Sequence, residues 1–334
     1  MKFSVILPVY NVENFLSKCL DSVLSQDFSD YEMIAVNDGS TDGSAKILSE
    51  YKKKTNKLKV ISQKNKGLGG ARNTGIDNAS GEYLIFLDSD DYIEKCMLKE
   101  LDNCLSEHDV DILAFDGIRV TEDGKRIDTM TNNDYETEYN AVSSKAFLLF
   151  EPTSCTKTFK RDLFVENRIC FPERLWYEDF ATVFRIASHT EKIGYLKKPF
   201  YYYVQQSQSI THSANVERIL EIMKAFDINI EEFNVNGSFE KYRDELEWNC
   251  LLHVLYYSAY RLLTKGCYVN EMKRLYSYSK KIFPNLEKNK YIIERSKKYD
   301  KMSLIVKQQY FLFYIKTGFI IKMTDFVKRI LHKN

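Results

Sequence analysis

Three carboxylates follow an apolar stretch in the segment YLIFLDSDDY, residues 83–92: Asp88, Asp90 and Asp91. Side chains two positions apart on a strand point the same way, so Asp88 and Asp90 should face one point. Two like charges held together are unfavourable unless a positive charge lies between them. Mg²⁺ and Mn²⁺ meet this need, because they accept one or two carboxylates and complete their coordination with water and phosphate oxygens. The alternative is a solvated acidic turn in which Asp91 caps the following helix.

Another carboxylate ends a second apolar run, in the segment NDGSTDGS at residues 37–44. The carboxylate of Asp38 could accept a hydrogen bond from the N–H of a base or from a ribose hydroxyl. The alternative is that such a side chain closes an Asx turn or caps a helix, and this is the interpretation we favour for Asp42.

Glycines and basic residues lie together in the segment NKGLGGARNTG, residues 65–75, at the start of an expected helix. Glycines allow the backbone to approach a phosphate, and a helix N-terminus favours an anion. Arg72 can bind pyrophosphate oxygens, with Lys66 nearby. The segment is neither a Walker loop nor a G-x-G-x-x-G fingerprint, so by itself it is a weak signal.

An acidic pair, Glu178 and Asp179, lies among aromatic residues in the segment LWYEDF, residues 175–180. One of the two carboxylates could act as a general base for a hydroxyl held on the aromatic surface. The alternative is a helix N-terminal acid beside a hydrophobic anchor. Tyr10, two positions after Pro8, could stack on a base, although a tyrosine at such a place is equally often part of a core.

The elements that must position these side chains alternate between strands and helices through residue 115. Continuous apolar runs such as FSVILPVY, residues 3–10, are typical of buried parallel strands, and residues 11–26 show helical spacing with Asn11 as the expected N-cap. This alternation predicts a parallel sheet with right-handed crossovers. Ligands of such sheets bind beyond the carboxyl ends of the strands, where the polar turns should line one crevice.

The rest of the chain has a different pattern. Residues 121–140 are polar and predict a surface hairpin or a mobile loop. Residues 141–210 return to mixed structure, and the apolar spacing becomes helical from about residue 215. We expect a boundary between residues 212 and 213.

Taken in order, five motifs resemble those of the glycosyltransferase family 2 enzymes: VILPVYNVENFLSKCLDSVLSQ, NDGSTDGS, NKGLGGARNTG, YLIFLDSDDYI and WYEDF. The resemblance covers about residues 1–210. It implies an inverting transferase with the GT-A fold, an α/β fold with a Rossmann-like, mostly parallel central sheet flanked by helices, here with a helical C-terminal extension. Many members assemble bacterial surface polysaccharides.

The resemblance also implies roles for the matching positions. The residues that would bind the nucleotide sugar are Pro8, Val9, Tyr10, Asp38, Lys66, Arg72, Asp88 and Ser89. Within that set, Pro8 to Tyr10 and Asp38 would hold the base, usually uracil, and Arg72 with Lys66 would face the diphosphate. Asp90 and Asp88 would hold Mn²⁺ or Mg²⁺. Asp179 would be the catalytic base, and Glu178 would support it or contact the acceptor.

The domain organisation follows from the same resemblance. Residues 1–212 would form the GT-A catalytic domain, with a nucleotide-sugar half at 1–115 and an acceptor half at 116–212. Residues 213–334 would form a helical region. One departure is Val204, at a place that the family often fills with arginine. Its part in binding the diphosphate could pass to one of four nearby polar residues: Gln205, Gln208, Ser209 or His212.

The implied function is metal-dependent hexosyl transfer from a nucleotide sugar, usually a UDP-sugar, to a saccharide hydroxyl. The acceptor is expected to be lipid-linked, in cell-surface, capsular or exopolysaccharide biosynthesis. Asp179 would take the proton of the attacking hydroxyl, and a single displacement would invert the anomeric centre. Two alternatives stay open: a non-catalytic nucleotide-sugar-binding protein on the same scaffold, and a sugar nucleotidyltransferase.

The segment 302–334 is apolar and aromatic but interrupted by lysines. The pattern suits an amphipathic helix lying in an anionic membrane surface with its lysines reaching towards the headgroups. Packing against the same chain and homo-oligomerisation are the alternatives.

The composition bears on two questions: whether the protein binds nucleic acid and in which cellular compartment it lies. Lys and Arg number 48 and Asp and Glu 47, a net charge of +1, which gives no broad field for nucleic acid. Seven scattered cysteines without a C-x-x-C pair indicate a reducing compartment. With no signal-peptide pattern and no apolar run of about 20 residues, we expect a cytoplasmic protein, with the inner face of the cell membrane as a peripheral location.

Overall fold

The computed structural model describes residues 1–131, 135–206, 215–266, 269–295 and 297–317. The chain divides into two compact units, Met1–Ser209 and Ile210–Asn334. The expected boundary between residues 212 and 213 lies outside the described residues.

Strands and helices alternate along the first part of the chain, as the apolar pattern predicts. The strands are β1 (Phe3–Val9), β2 (Tyr31–Asn37), β3 (Leu58–Ser62) and β4 (Tyr83–Phe86). The helices that connect them are α1 (Leu16–Leu24), α2 (Ser44–Lys54) and α3 (Gly67–Asp77). The four strands are parallel in the order β3-β2-β1-β4, which confirms the predicted parallel sheet.

The second half of the sheet mixes strand directions. Its strands are β5 (Tyr92–Ile93), β6 (Ile112–Thr121), β7 (Arg126–Met130), β8 (Tyr139–Val142), β9 (Lys157–Lys160) and β10 (Ile193–Gln205). The full order is β3-β2-β1-β4-β9-β6-β10-β5, with β7 on β6 and β8 on β10. β6 is the predicted fifth strand, and β7 pairs with it antiparallel, which confirms the hairpin. The short antiparallel β9 has no counterpart among the strands expected from the sequence, and it separates β6 from β4.

Helices cover this sheet. They include α4 (Met97–Glu107), α5 (Ser144–Phe147), α6 (Asp162–Glu166) and α7 (Phe180–Ala187). Alternate residues of β1 enter two separate cores: Leu7 packs in a cluster with Leu20 of α1, and Ile6 packs in one with Phe86. Because both faces of β1 are buried, its sequence reads as a continuous apolar run.

Asn11 does not cap α1, contrary to the expectation from sequence. The helix begins at Leu16, and Asn11 has a positive φ of 52°. Its Oδ1 accepts a hydrogen bond from the backbone N–H of Thr41 at 2.8 Å. Asparagine tolerates the left-handed region, so Asn11 ties the loop after β1 to the loop after β2. Asp42 has the expected turn role, because it accepts from the backbone N–H of Ser44.

The second unit is helical in its described part, as expected. Its helices are α8 (Val216–Leu220), α9 (Ile222–Val235), α10 (Arg243–Asn249), a π-helical segment (Cys250–Tyr257), α11 (Ser258–Thr264), α12 (Val269–Ile282), a 3₁₀ turn (Leu286–Lys288), α13 (Tyr291–Glu294) and α14 (Met302–Val306). Residues 310–317 are also helical, and the rest of the expected amphipathic tail lies outside the described residues. In the ranges given above, no helix is both long and apolar enough to cross a bilayer.

Candidate active site

Arg72, on α3, connects the acidic motifs that are distant in sequence. Its Nη1 donates to Oε1 of Glu178 at 2.9 Å and to Oδ1 of Asp179 at 2.7 Å. Its Nη2 donates to Oδ1 of Asp88 at 2.9 Å. One guanidinium therefore brings the acidic pair at the start of α7 beside the acidic turn that follows β4.

Arg72 is engaged within the protein, and its expected contact with a diphosphate stays a prediction. The side chain is 1% exposed, and Phe171 lies over its guanidinium at 5.2 Å. Its positive charge is balanced within the protein by three carboxylates, those of Asp88, Glu178 and Asp179. Its buried Nε has no hydrogen-bond partner among the described residues. Arg72 fixes the positions of the carboxylates, since its planar guanidinium offers donors in set directions.

The two members of the acidic pair differ in their surroundings. Glu178 is nearly buried, with 11% of its side chain exposed, while Asp179 keeps 23%. Burial raises the pKa of Glu178, and Arg72 acts against that effect. Of the two, Asp179 is therefore the one whose carboxylate is more accessible to a second molecule.

Both oxygens of Asp179 are oriented by protein donors. Arg72 binds Oδ1, and the backbone N–H of Ser154 donates to Oδ2 at 3.2 Å. Lys157 of β9 holds the loop that contains Ser154. The side chain of Lys157 is fully buried. Its Nζ donates to the carbonyl oxygens of Glu151 and Thr153, each at 2.8 Å.

The charge of Lys157 also lies close to the acidic pair. Burial lowers the pKa of Lys157 to about 8, while Asp179 acts in the opposite direction. Neither Lys157 nor Ser154 is marked by a motif in the sequence. The segment TSCTKTFK resembles an ordinary half-exposed strand, so no local signal separates a buried lysine from a surface one.

Each of the three carboxylates of the acidic turn has different hydrogen-bond partners. Asp88 pairs with Arg72, and Asp90 accepts from Nε2 of Gln206 at 2.8 Å. Asp91 is 2% exposed and accepts from the hydroxyl of Tyr201 and from the backbone N–H of Val204 at 2.7 Å. Asp91 thus joins the turn to β10. The interpretation of Asp91 as a helix cap is wrong.

The acidic turn has an excess of negative charge. Burial, and after it the charge of Asp88, raises the pKa of Asp90 to about 6. Burial likewise raises the pKa of Asp91. No lysine or arginine of the described part forms an ion pair with either side chain. A cation bound here would relieve that repulsion.

The donor atoms of this turn fit a hard cation. Asp88 and Asp90 present carboxylate oxygens, which Mg²⁺ and Mn²⁺ prefer. Within the described ranges, no group of three or more His, Cys, Asp or Glu side chains is arranged to hold a metal ion. Two carboxylates are nevertheless sufficient for a cation whose other ligands are water and phosphate oxygens. The set therefore fits a cation that binds together with a nucleotide.

Asp38 is engaged inside the protein. It is 2% exposed, and its carboxylate accepts from Nε2 of Gln63 at 2.7 Å and from the backbone N–H groups of Lys66 and Gly67 at 2.8 and 2.9 Å. These bonds fix the turn that begins α3, where Gly67 has a φ of 79°. The expected contact of Asp38 with a base or a ribose hydroxyl stays a prediction.

The other expected nucleotide-binding residues divide by exposure. Pro8 and Val9 are buried in β1, and the carbonyl of Val9 accepts from the N–H of Asp38 at 2.9 Å. Their side chains are buried, and their expected contact with a base stays a prediction. Tyr10 is 49% exposed and available for stacking.

Lys66 and Ser89 differ in exposure to solvent. The side chain of Lys66 is 50% exposed, with its Nζ 3.6 Å from Oε1 of Glu173. Ser89 is 4% exposed. Val204 is buried, and Gln205 is exposed. The remaining expected substitutes for the missing arginine lie outside the described residues: Gln208, Ser209 and His212.

A mostly parallel sheet with carboxylates at the carboxyl ends of its strands and a helical extension defines a GT-A-type α/β protein. The family model described as Glycosyl transferase family 2 matches residues 4–167. Glycosyltransferase GlyG of Streptococcus pneumoniae is 32% identical over 250 residues, which cover 70% of this chain and 81% of GlyG. EpsH of Bacillus subtilis is 31% identical over 290 residues, covering 85% of this chain and 80% of EpsH. The chain belongs to glycosyltransferase family 2.

A solved structure agrees with this assignment. The crystal structure of Staphylococcus aureus TarS 1-349 in complex with UDP-GlcNAc matches with a TM-score of 0.60 and 26% identity, covering 84% of this chain and 82% of that one. TarS is named as a poly(ribitol-phosphate) beta-N-acetylglucosaminyltransferase, and this chain spans 40% of its full length. The GT-A fold expected from the sequence is confirmed.

Proposed function

We propose that the protein is a metal-dependent, inverting hexosyltransferase that moves a sugar from a UDP-sugar to a hydroxyl of a saccharide acceptor. Its product would belong to a cell-surface polymer such as a capsular polysaccharide or an exopolysaccharide. The observation that supports this function most directly is the set of three ion pairs that joins Asp88 and the pair Glu178–Asp179 through Arg72.

Asp179 is the proposed general base. Both of its oxygens are oriented, and its side chain remains 23% exposed, so an acceptor hydroxyl can reach it. An ordinary aspartate is a weak base near neutral pH, and it accelerates transfer only when it is held in the correct position. Arg72 and the Ser154 N–H supply that position. Glu178 is the proposed supporting residue, because burial leaves it little access to an acceptor.

The proposed cation site consists of Asp90 and Asp88. A bound Mg²⁺ or Mn²⁺ would supply electrostatic stabilisation of the leaving diphosphate. Lys66, whose side chain is 50% exposed, is a basic residue proposed to face the diphosphate with Arg72, and the exposed ring of Tyr10 is proposed to stack on the base. The UDP-GlcNAc bound in the TarS structure supports a UDP-sugar donor.

We place the protein in the cytoplasm, at the inner surface of the membrane, where it would meet a lipid-linked acceptor. The helix at residues 310–317 is apolar on its exposed side, with Phe311 73%, Ile315 48% and Leu312 39% exposed. Lys307, which precedes this helix in the chain, and Lys316, which lies within it, are also exposed. Exposed apolar side chains flanked by lysines suit the boundary of an anionic bilayer.

A thermal-shift screen tests the function. The full chain is heated with Mn²⁺ and each of UDP-Glc, UDP-Gal, UDP-GlcNAc, UDP-GalNAc and UDP-GlcA. A donor at about 100 times its Kd stabilises the folded protein by about 2.7 kcal/mol. The donor that the protein binds should therefore raise Tm by several degrees. UDP release from that donor should then require Mn²⁺ or Mg²⁺. Binding without any UDP release, with or without saccharide acceptors, would favour a non-catalytic nucleotide-sugar-binding protein.

A further inference from the structure

Gln206 occupies a position next to Asp90 that the proposed mechanism does not use. It follows directly after β10, and its Nε2 donates to Oδ2 of Asp90 at 2.8 Å. Its place is fixed by its neighbours on the strand, because Tyr201 and Val204 both donate to the buried Asp91. The end of β10 is therefore fastened to the acidic turn at three points.

The chemistry of the amide group gives Gln206 a second option at the same place. A glutamine amide has one oxygen and one nitrogen of similar size. A half-turn about its terminal bond would exchange Nε2 and Oε1, which places an oxygen where the nitrogen lies. Adjacent ligands of an octahedral Mg²⁺ at about 2.1 Å are about 3.0 Å apart. The 2.8 Å between Gln206 and Oδ2 of Asp90 is close to that spacing.

We propose that Gln206, through Oε1, is a ligand of the divalent cation alongside Asp90. This inference rests on the proposed metal dependence. Amide carbonyl oxygens are hard donors that suit Mg²⁺ and Mn²⁺. A neutral ligand also has an advantage here, because the turn already contains Asp88, Asp90 and Asp91 and a further carboxylate would add to their repulsion.

Mn²⁺ binding gives a test that does not depend on transferase activity. Mn²⁺ is titrated into the full chain with and without UDP, and free Mn²⁺ is followed by electron paramagnetic resonance. Gln206→Ala should weaken Mn²⁺ binding by about tenfold or more. Gln309→Ala removes an exposed glutamine of the second unit and should leave the affinity unchanged. Tm values of both variants monitor folding.

The number of water molecules on the bound Mn²⁺ separates a ligand from a positioning residue. Electron–nuclear double resonance in ¹⁷O-labelled water should show one more water in Gln206→Ala than in the wild type. Gln206→Glu should return the count to the wild-type value, since it restores an oxygen at that position.

Four results would overturn the proposal. Unchanged affinity in Gln206→Ala would show that the side chain is not a ligand, and tighter binding would show that it competes with the cation for Asp90. Weaker binding without an additional water would assign it a structural role. Failure of the wild type to bind Mn²⁺ even with UDP would remove the proposed metal dependence and this inference with it, so the two failures are distinguishable.

Discussion

Arg72 and Asp179 form a 2.7 Å ion pair in which the guanidinium is 1% exposed and the carboxylate 23%. The residues are 107 positions apart in the chain. The buried partner holds the carboxylate from the protein side, and the remaining exposed surface of Asp179 is the part that an acceptor could reach. The same guanidinium also binds Asp88, so displacement of Arg72 would disturb the proposed base and the proposed cation site together.

Removal of Arg72 should therefore be costly for stability. Arg72→Met removes the guanidinium that Asp88, Glu178 and Asp179 share. Removing one partner of a buried ion pair lowers the free energy of unfolding by about 3–5 kcal/mol. Urea unfolding should show this loss. The matched control is Arg119→Met, whose ion pair with Asp128 is 2.8 Å long but about half exposed and should contribute about 1 kcal/mol or less. If both variants lost the same free energy of unfolding, burial would not be what makes the ion pairs of Arg72 contribute more to stability.

Asp179→Asn should keep UDP binding and lose transfer. The amide preserves the shape of the side chain but has no basicity, and general-base catalysis contributes about 10²- to 10⁴-fold in rate. Calorimetry of UDP binding and an assay of UDP release would measure the two effects. Asp162→Asn, at an exposed aspartate of α6, should affect neither. Wild-type turnover by Asp179→Asn would remove Asp179 from the mechanism.

Lys157→Met should lower kcat by roughly tenfold to a hundredfold while the affinity for UDP stays the same. Without its two carbonyl contacts the loop at residues 151–154 loosens, and small misplacements of a catalytic group have effects of about this size. Lys160→Met, on the same strand but in a more exposed pair with Asp111, is the control and should retain kcat. A parallel loss of UDP affinity in Lys157→Met would indicate general damage to the fold.

Asp90→Asn should stabilise the cation-free protein near neutral pH. The pKa of Asp90 is raised from 3.8 to about 6 in the folded protein. A carboxyl with a raised folded pKa binds protons more tightly when folded, so its contribution to stability falls as pH rises from about 4 to about 6. The shift corresponds to at most about 3 kcal/mol.

Urea unfolding at about pH 4.5 and about pH 7.5 measures this effect. The increase in the free energy of unfolding of Asp90→Asn over the wild type should be largest at the higher pH and much smaller at the lower pH. The same variant should lose Mn²⁺ binding, because one proposed ligand is no longer a carboxylate. A gain that is equal at both pH values would show that deprotonation of Asp90 is not its cause.

The exposed apolar side of residues 310–317 should bind anionic membranes. Full-length protein should float with liposomes that contain phosphatidylglycerol, and the double variant Phe311→Ser, Ile315→Ser should float far less, since each buried side chain contributes about 1.5–3 kcal/mol. The control double variant Val235→Ser, Ile293→Ser removes two apolar side chains that are each 80% exposed elsewhere. Equal flotation of the two variants would contradict a specific contact.

Much of the fold and the identity of the acidic motifs follow from the sequence alone. The apolar runs of β1, β2 and β4 and the helical spacing between them are local patterns, and local patterns determine which segments become strands and helices. The same patterns place Asp88 and Asp90 beyond the end of a strand. The order of five motifs was sufficient to indicate the family, and with it the candidate base Asp179.

Only the tertiary structure decided which groups are partners. Arg72, Asp38 and Gln206 each carry donors or acceptors that would suit a nucleotide, a cation or another side chain equally well. Their contacts span between 16 and 116 positions of the chain, and no local pattern specifies them. The insertion of β9 between β4 and β6 places Lys157 in the core. Burial then determines its hydrogen-bond partners, because a charge removed from water must find its ligands within the protein.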